Sequence, residues 1–545
     1  MLTQVALAVV FLVPLYFILK RVLWPHPLDK LPGPKSPSWW NGHFDEIFGI
    51  KGLDFHFMMA QRYGPTSSFR TVYGERQLYT FDPKAMHHIL VKDQGTLFEE
   101  APSFVATNKL MFGGGVLGTL GEPHRRQRKM LNPVFSIAHM REMVPIFYEV
   151  THRLRKTLTA KVQDGPQEID MLAWMGRTAL ELIGQSGFGY SFDELADENH
   201  AHPYVKAMKG MAPLFSRAHF ARTYILPYIS NIGTPAMRSF IARFLPWKDF
   251  QEGKGMADYM WALSKEIYEE KKSAANRLGK ELSGKDILSV LVAENGKASE
   301  EDRLKDDELT AQMSTLIFAA MDTTSSALSR ILLLLASHPE VQAKLREELN
   351  DAFQDGDIPY DQLVSLPYLD AIARETLRVY PPVHRLLRTT LKDAILPLSN
   401  PVTCTDGTVV NEIALPRNTD IFISLVNSNR NKALWGDDAD EWKPERWLSP
   451  LPKDVVDAKI PGVYSHLMTF NAGGRSCIGF KFSQLEMKVV LSLLIQSFEF
   501  SDAGKEIFWR STGVTSPVVV DSKLGDLASD LPGMPLIVKL VDRNL

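Results

Sequence analysis

The sequence has only two cysteines, Cys404 and Cys477, in 545 residues. Two cysteines cannot build a disulfide framework, and the sequence has no clustered Cys/His spacing of the kind that binds zinc. A net charge of -3 gives no electrostatic case for nucleic-acid binding. Internal repeats and low-complexity tracts are absent as well. What remains, 45% hydrophobic and 23% charged residues, is an ordinary globular composition with ample material for a large core.

Two glycine patterns resemble nucleotide-binding loops, but neither has the surroundings that such a loop needs. Gly113, Gly115 and Gly118 fall in G-x-G-x-x-G register, yet a proline and a basic helix follow, and no β-α-β unit surrounds them. Residues 279–285 read G-x-x-x-x-G-K, but Asp286 stands where Ser or Thr must bind magnesium. The sequence therefore encodes neither a nicotinamide site nor an ATP site, and electrons for any redox chemistry must come from another protein.

The N-terminal segment lacks charge from Leu2 to Leu19. At ~1.5 Å per residue this run gives roughly 27 Å of helix, close to the ~30 Å thickness of a hydrocarbon core. No basic residues precede it and no small-residue cleavage site follows, which favours a membrane anchor over residues 1–21 against a cleaved signal peptide. Because Lys20 and Arg21 follow the run, the positive-inside rule places the rest of the chain in the cytosol.

The next segment, residues 22–37, is rich in proline and is predicted to be a non-helical, stiff hinge. Residues 38–545 are predicted to form the main folded domain. Alternating β-formers over Ser67 to Val72 and Arg76 to Thr80 predict a small β-rich lobe. From about Met140 onward helical spacing of apolar residues dominates, and the longest helix is predicted from Leu304 to Ser337.

Cys477 lies in the glycine-rich run from Phe470 to Gly479, FNAGGRSCIG. A cysteine that ligates haem iron must be a thiolate, and a thiolate beside an apolar macrocycle needs hydrogen-bond donors and positive charge to stay ionised. Glycines let backbone N–H groups turn toward the sulfur, and Arg475 is placed to meet a haem propionate. The simpler alternative is a buried, inert cysteine in a turn before a helix.

The run matches F-x-x-G-x-R-x-C-x-G at every fixed position and resembles the haem-binding signature of the cytochrome P450 family. This resemblance implies that Cys477 is the axial ligand of haem b, with Phe470 packed against the ring and Gly479 in the haem-binding loop. It also implies a mainly α-helical fold with a small β-rich lobe, in which haem lies between the long central helix and the cysteine loop.

The predicted long helix carries an acid followed by two hydroxyls, Asp322, Thr323 and Thr324, inside an apolar span. Taken alone, Thr323 could bond to the carbonyl four residues earlier while Asp322 finds a surface partner. The run from Ala319 to Thr324 resembles the family's oxygen-activation motif, A/G-G-x-D/E-T-T. That resemblance implies that Thr323 relays protons for dioxygen cleavage and that Asp322 feeds the relay from solvent. Ala320 replaces the usual glycine, which puts coupling efficiency in doubt.

Glu375 and Arg378 form an E-x-x-R pair on one face of a predicted helix, and Arg446 lies in a Pro-Glu-Arg-Trp segment. Alone, the first pair would be a routine surface salt bridge worth ~0.3 kcal/mol. In the family, the three corresponding residues form a buried structural triad. The resemblance therefore implies the same triad here.

Arg388, Arg475 and Arg128 match the family's basic positions for two haem propionates, and His124 stands where the family more often has tryptophan. The alternative for Arg128 is that it belongs to a solvated basic helix face, since Arg125, Arg126 and Lys129 are its neighbours. Such a face is compatible with docking of an acidic reductase.

The resemblance covers roughly residues 31–520 and is nearest to fungal microsomal members. It implies a monooxygenase that oxidises a lipophilic molecule with dioxygen and takes NADPH electrons through cytochrome P450 reductase, with cytochrome b5 as a second partner. It also implies a single-pass protein of the endoplasmic reticulum membrane. The residues in the family's substrate-recognition positions are Phe104, Phe318, Ala319, Val383, Leu386 and Val514.

A terpenoid or other secondary metabolite is the substrate expected by analogy, and fatty-acid, sterol or xenobiotic hydroxylation remains the alternative. Two other classes stay open. A haem-thiolate isomerase or dehydratase would have no need of the Asp322 and Thr323 relay. A haem sensor or carrier would need neither the relay nor a reductase surface.

Overall fold

The computed structural model describes residues 26–197, 201–230, 232–277, 284–520 and 532–541. The predicted anchor, residues 1–21, lies outside these ranges. Within them, one helix, Asp306–Ser337, is long and apolar enough to cross a membrane. Since 61% of its most apolar window is buried inside the protein, it has the character of a core helix.

The strands of the described residues are β1 Thr66–Arg70, β2 Arg76–Thr80, β3 Phe98–Glu100, β4 Gln167–Asp170, β5 Arg385–Thr390, β6 Ala394–Thr403, β7 Val409–Leu415, β8 Asp420–Ser424, β9 Phe498–Asp502, β10 Ile507–Arg510, β11 Ser516–Val519 and β12 Pro535–Leu540. The first two agree with the predicted strands to within two residues.

The α-helices are α1 Phe44–Phe48, α2 Gly52–Tyr63, α3 Pro83–His87, α4 Pro102–Phe112, α5 Gly121–Leu131, α6 Ile137–Val162, α7 Met171–Leu182, α8 Pro203–Arg217, α9 His219–Tyr224, α10 Leu226–Ile229, α11 Pro235–Ala242, α12 Lys248–Arg277, α13 Ile287–Lys297, α14 Asp306–Ser337, α15 Pro339–Ala352, α16 Tyr360–Ser365, α17 Pro367–Val379, α18 Leu425–Asn429, α19 Lys432–Trp435, α20 Lys453–Asp457 and α21 Phe480–Ser497. Shorter 3₁₀ and π turns occupy Pro27–Lys30, Val72–Gly74, His88–Lys92, Asn132–Phe135, Ile183–Phe188, Pro444–Leu448 and Gly473–Arg475. The predicted mainly α-helical class with small β-rich parts is confirmed.

The chain divides into two compact units, and each is discontinuous in sequence. The first unit contains the described residues up to Ala101 together with His384–Gly436 and Lys453–Arg475. Its main sheet has the strand order β1-β2-β8-β5-β3, in which β2 and β8 run parallel and the other neighbours antiparallel. An aromatic cluster that includes Phe69, Tyr79 and Phe422 fills its core. The predicted β-rich lobe thus takes two strands from the second half of the chain.

The described part of the proline-rich hinge packs onto this first unit. Pro27–Lys30 is a 3₁₀ turn capped by the His26 side chain, and Leu28 is completely buried. Asp29 accepts hydrogen bonds from Arg70 and Arg76 at 2.9 Å. The prediction that this segment is non-helical is therefore wrong at Pro27–Lys30, because a proline in the first turn costs a helix no hydrogen bond. That residues 22–37 act as a stiff hinge stays a prediction. That residues 38–545 act as one catalytic domain stays a prediction.

The second unit contains Pro102–Val383, Asp437–Pro452 and the chain from Ser476 onward. Helix α14 runs through its core and contacts α7, α12, α17 and α21. Three acidic residues, Asp306, Asp307 and Glu308, favour the start of α14 because they complement the helix dipole, and the helix ends just before Pro339. The predicted helix from Leu304 to Ser337 is confirmed to within two residues.

Candidate functional site

Cys477 lies three residues before α21, in the second unit. Its side chain is exposed, although enough protein surrounds the sulfur for desolvation to raise the pKa of the thiol. The backbone N–H of Gly479 and the charge of Arg128 act in the opposite direction on the same pKa. Arg128 on α5 also donates from Nη1 to the Ser476 carbonyl at 2.7 Å. Two groups that stabilise a thiolate therefore lie beside this sulfur.

The residues before Cys477 form a tight loop within the first unit. Gly473 has φ +63°, and a Cβ at this position would lie 1.9 Å from the Leu90 carbonyl oxygen, so only glycine fits. The next N–H, that of Gly474, donates to Gln94 Oε1 at 3.0 Å. Phe470 is buried and packs edge-to-face on Tyr464 with ring centroids 5.4 Å apart. The loop is thus held against the His88–Lys92 turn before the chain reaches the cysteine.

Arg388 and Arg475 both lie in the first unit, each beside a glutamate of β3. Arg388 donates from Nη1 to Glu100 Oε2 at 2.6 Å, and Arg475 Nη2 lies 3.5 Å from Glu99 Oε1. Burial raises the pKa of Glu100, and the two arginines oppose this rise. Among the described residues, nothing accepts a hydrogen bond from the buried Nε and Nη2 of Arg388. Two nitrogens of this guanidinium thus have no acceptor in the part of the protein that the structure describes.

The basic residues around Arg128 on α5 each have an acidic partner. Arg126 pairs with Glu308 at 2.5 Å and Lys129 with Asp302 at 2.6 Å, and Arg125 pairs with Glu122. Only Arg125 and Lys129 are well exposed. His124 is partly exposed on the same helix. Much of the basic charge on this face is therefore neutralised locally.

The acid and hydroxyl of α14 have the partners that the plain helical alternative anticipates, with one addition. Thr323 Oγ1 donates to the Ala319 carbonyl at 2.8 Å. Asp322 pairs with Lys209 of α8 at 3.2 Å, and both side chains are only 15% exposed. Ala319 is exposed although most of α14 is buried. The carboxylate is thus shielded on one side by a lysine, a partner that sequence reasoning missed because Lys209 lies 113 residues away with no local signal.

The structure brings Glu375, Arg378 and Arg446 together in a fully formed ion-pair network. Arg378 makes two hydrogen bonds of 2.8 Å to the Glu375 carboxylate, and both side chains are completely buried. Arg446 Nε lies 3.4 Å from Glu375 Oε1, and Trp447 Nε1 donates to the other oxygen at 2.9 Å. Removal of one partner would leave a buried charge, which is costly.

The predicted substrate residues occupy both units. In the second unit, Phe318 of α14 stacks on Phe112 of α4 with ring centroids 4.5 Å apart, and Phe104 lies earlier on α4. Ser326 donates to the Thr515 carbonyl and the Thr515 N–H donates to Pro382, so the loop carrying Val514 is joined to α14 and to the segment that ends at Val383. Leu386 lies on β5 of the first unit and is partly buried.

One further buried acid was missed by sequence reasoning. Glu486 of α21 is completely buried, and its two oxygens accept no well-aligned hydrogen bond from the described residues. The Thr324 hydroxyl of α14 faces it. Burial raises the pKa of Glu486 well above its usual range. Its position inside an amphipathic helical pattern offers no signal beyond the rarity of a glutamate on a buried face.

Comparison with known proteins supplies the family. The sequence model of the cytochrome P450 family matches residues 32–512. A cytochrome P450 monooxygenase of Postia placenta, number 91, is 48% identical over 530 residues, covering 96% of each chain. The ganoderic acid synthetase of Ganoderma lucidum is 43% identical over 534 residues, again with 96% of each chain covered. A cytochrome P450 monooxygenase of Hericium erinaceus is 36% identical over 526 residues and 94% of each chain.

Proposed function

Because this chain belongs to the cytochrome P450 family, whose members are haem-containing monooxygenases that use molecular oxygen, we propose that it oxidises a lipophilic small molecule, a terpenoid or other secondary metabolite. The apolar character of the predicted substrate positions supports a lipophilic substrate. A terpenoid is favoured because one relative is named a ganoderic acid synthetase, and ganoderic acid is a triterpenoid. Fatty-acid, sterol and xenobiotic oxidation are the alternatives.

The observation that carries this proposal is the setting of Cys477, an exposed sulfur with the Gly479 N–H and the Arg128 charge beside it. These groups fit a thiolate that ligates haem iron. The orphan donors of Arg388 fit a propionate carboxylate, and we assign Arg475, Arg128 and His124 to the same task. Phe470 would pack against the ring. When bound through the thiolate, haem supplies dioxygen activation.

The residues of α14 are proposed to move protons. Thr323 carries a hydroxyl whose present acceptor is a helix carbonyl, so it can turn to donate elsewhere without leaving a buried donor unpaired. Asp322 would recharge it with a proton from solvent, and the ion pair with Lys209 fixes the position of that carboxylate. Phe318, Ala319, Val383, Leu386, Phe104 and Val514 would hold the apolar body of the substrate and exclude water.

Electrons are proposed to come from NADPH through cytochrome P450 reductase, with cytochrome b5 as a second donor. Arg125 and Lys129 are exposed although each pairs with an acid, and we propose that they exchange these partners for acids of the reductase at the docking face. We propose that residues 1–21 anchor the chain in the endoplasmic reticulum membrane and that residues 38–545 form the catalytic domain in the cytosol. The isomerase and sensor alternatives differ from this proposal because neither inserts an atom of dioxygen into a product.

The first test replaces the proposed ligand. Cys477→Ser should abolish the red-shifted difference band of the reduced carbon monoxide complex, because an alcohol cannot supply the thiolate. Cys404→Ser is the matched control, since Cys404 is buried at the β6–β7 turn of the first unit and should keep the band. Retention of the band in Cys477→Ser would refute the ligand assignment.

The second test separates the reaction classes. Wild-type protein, NADPH and reductase are incubated under isotopically labelled dioxygen with panels of terpenes, steroids and fatty acids, and products are read by mass spectrometry. A monooxygenase places one labelled atom in its product. A product without label, formed without oxygen consumption, would support an isomerase or dehydratase instead.

A further inference from the structure

Arg222 of α9 is a half-buried residue, and the partners of its guanidinium are all neutral. Its Nε donates to Thr107 Oγ1 and its Nη1 to the Phe215 carbonyl, each at 3.2 Å. Its guanidinium carbon lies 4.0 Å from the centroid of the Phe215 ring. The third nitrogen, Nη2, bonds to none of the described residues. This half-buried side chain therefore has a donor left over for a further acceptor.

The charge of Arg222 is uncompensated within the described part of the chain. Burial lowers its pKa to about 10, and no carboxylate acts to raise it again. Arg217, five residues earlier, is the contrast, because it pairs with Asp249 at 2.9 Å and Glu252 at 2.8 Å. A desolvated cation without a carboxylate is costly unless something else supplies the negative charge. Proteins retain an unpaired, desolvated cation of this kind where it contributes to binding a ligand of opposite charge.

Arg222 is connected by α4 to the helix that carries the proposed proton relay. Thr107, its hydrogen-bond partner, is a buried residue in the middle of α4. Phe112, at the end of the same helix, stacks on Phe318 of α14. At ~1.5 Å per residue, Thr107 lies about 8 Å along α4 from Phe112. Arg222 therefore contacts α4 at Thr107, and α14 contacts the same helix at Phe112.

We propose that Arg222 binds the carboxylate of a lipophilic acid whose apolar body extends along α4 toward Phe318 and Ala319. The planar fork of an arginine suits a carboxylate, and the aromatic face of Phe215 keeps the guanidinium in place for it. This inference rests on the proposed oxygenase function and narrows its substrate class from lipophilic molecules in general to those with one anionic end. Oxidation then falls on a carbon remote from the carboxylate.

The test compares acids with their methyl esters, which keep the apolar body and lose the charge. Dodecanoic, hexadecanoic and oleanolic acids and their esters are titrated into the full-length protein, and dissociation constants are read from the haem absorbance shift and by calorimetry. Wild type should prefer acid over ester by about 10-fold to 100-fold, the range for a hydrogen bond to a charged group. Arg222→Met should bring this ratio close to one, and Arg222→Lys should keep part of it.

The matched control is Arg217→Met, which removes a nearby arginine that already has two acidic partners and should leave the acid-to-ester ratio at the wild-type value. Equal affinity of wild type for acids and esters, or absence of binding of every probe, overturns the proposal. So does a wild-type ratio in Arg222→Met. If the wild type shows the carbon monoxide band but no preference for acids, only the Arg222 site fails. If the band itself is absent, the haem function fails, and calorimetry still decides the carboxylate site.

Discussion

At the scale of single residues, the hydroxyl of Thr323 has two uses that share one geometry. It bonds to the Ala319 carbonyl as any helical threonine can, and the acid beside it is held by Lys209. The bond to a carbonyl within the helix gives the hydroxyl an acceptor when it is not transferring a proton. This geometry is therefore compatible with a proton relay as well as with a purely structural role. A variant that lacks the hydroxyl distinguishes the relay role from the structural role.

We expect Thr323→Ala to retain haem binding while product formation falls by about 10²-fold and electrons are lost as peroxide, because a positioned proton donor contributes about that much. The measurement is the ratio of product and peroxide formed to NADPH consumed. Thr310→Ala is the control, since Thr310 makes the same i to i−4 bond, to Asp306 at 2.9 Å, near the start of α14. If both variants show unchanged coupling, Thr323 has no relay role.

At the scale of elements, α14 and α21 meet around the buried Glu486. This helix pair joins the proposed relay segment to the segment that follows Cys477, and Thr324 is the group of α14 that faces the acid. Burial favours the neutral carboxyl, because the charged form would lose its hydration without gaining an ion pair from the described residues. The contact between the two helices is therefore built for an uncharged acid.

This arrangement predicts a pH dependence of stability with a definite sign. The folded-state pKa of Glu486 lies well above the usual value of 4.5, so its stabilising contribution is complete below pH 4.5 and is lost as pH rises toward the folded-state pKa. Glu486→Gln removes the titration. The free energy of unfolding of this variant, relative to wild type, should therefore rise with pH above pH 4.5, by roughly 1 kcal/mol per pH unit until the folded-state pKa is reached.

Denaturant unfolding of both proteins between pH 5 and pH 8 measures this difference in the free energy of unfolding. The test is how the difference changes with pH, because burying the glutamine amide adds only a constant amount at every pH. The exposed Glu499 of β9 provides the control, because Glu499→Gln should follow the wild-type curve. Parallel curves for Glu486→Gln and wild type would show that Glu486 is ionised in the folded protein.

At the scale of the whole molecule, one segment of the second unit exposes many apolar side chains. The exposed large hydrophobic residues between α9 and α12 are Phe220, Ile225, Tyr228, Ile229, Ile232, Met237, Phe240, Ile241, Phe244, Leu245 and Trp247. We call this the 220–247 patch. Arg243 and Lys248 are exposed within or beside it. Aromatic and aliphatic residues mixed with basic ones are typical of a segment that lies in a membrane interface.

We therefore expect the 220–247 patch to bind lipid in a chain that lacks residues 1–25. A chain that begins at His26 should float with vesicles of mixed neutral and anionic lipid, and the double change Phe240→Ser and Phe244→Ser should weaken this binding by about tenfold or more, since a buried phenylalanine contributes about 1.5–3 kcal/mol. The control changes two exposed residues outside the patch, Leu448→Ser and Val456→Ser. Equal flotation of all three chains would contradict a membrane role.

Local patterns made part of this molecule predictable. Strands β1 and β2, helix α14 and the cysteine run are each specified by residues close in sequence, through apolar spacing or a short motif. Long-range pairings had no such signal. The parallel pairing of Leu78 with Ile421 joins distant parts of the chain. The surroundings of Lys209, Glu486 and Arg222 are likewise formed by residues far away in sequence, so no local pattern predicts their roles. The burial of Leu28 in the proline-rich segment likewise depends on parts of the chain that are distant in sequence.

Gly473 and Gly474, which precede Cys477, differ in whether a point mutation can be tolerated. Every missense change of a glycine codon adds a Cβ, and at Gly473 that atom would collide with the Leu90 carbonyl. At Gly474 it would meet only the Gln94 side chain, 3.3 Å away, which can move aside. A substitution can therefore be accommodated at position 474 and not at position 473. Natural variants of this loop should accordingly occur at position 474 while glycine is kept at position 473.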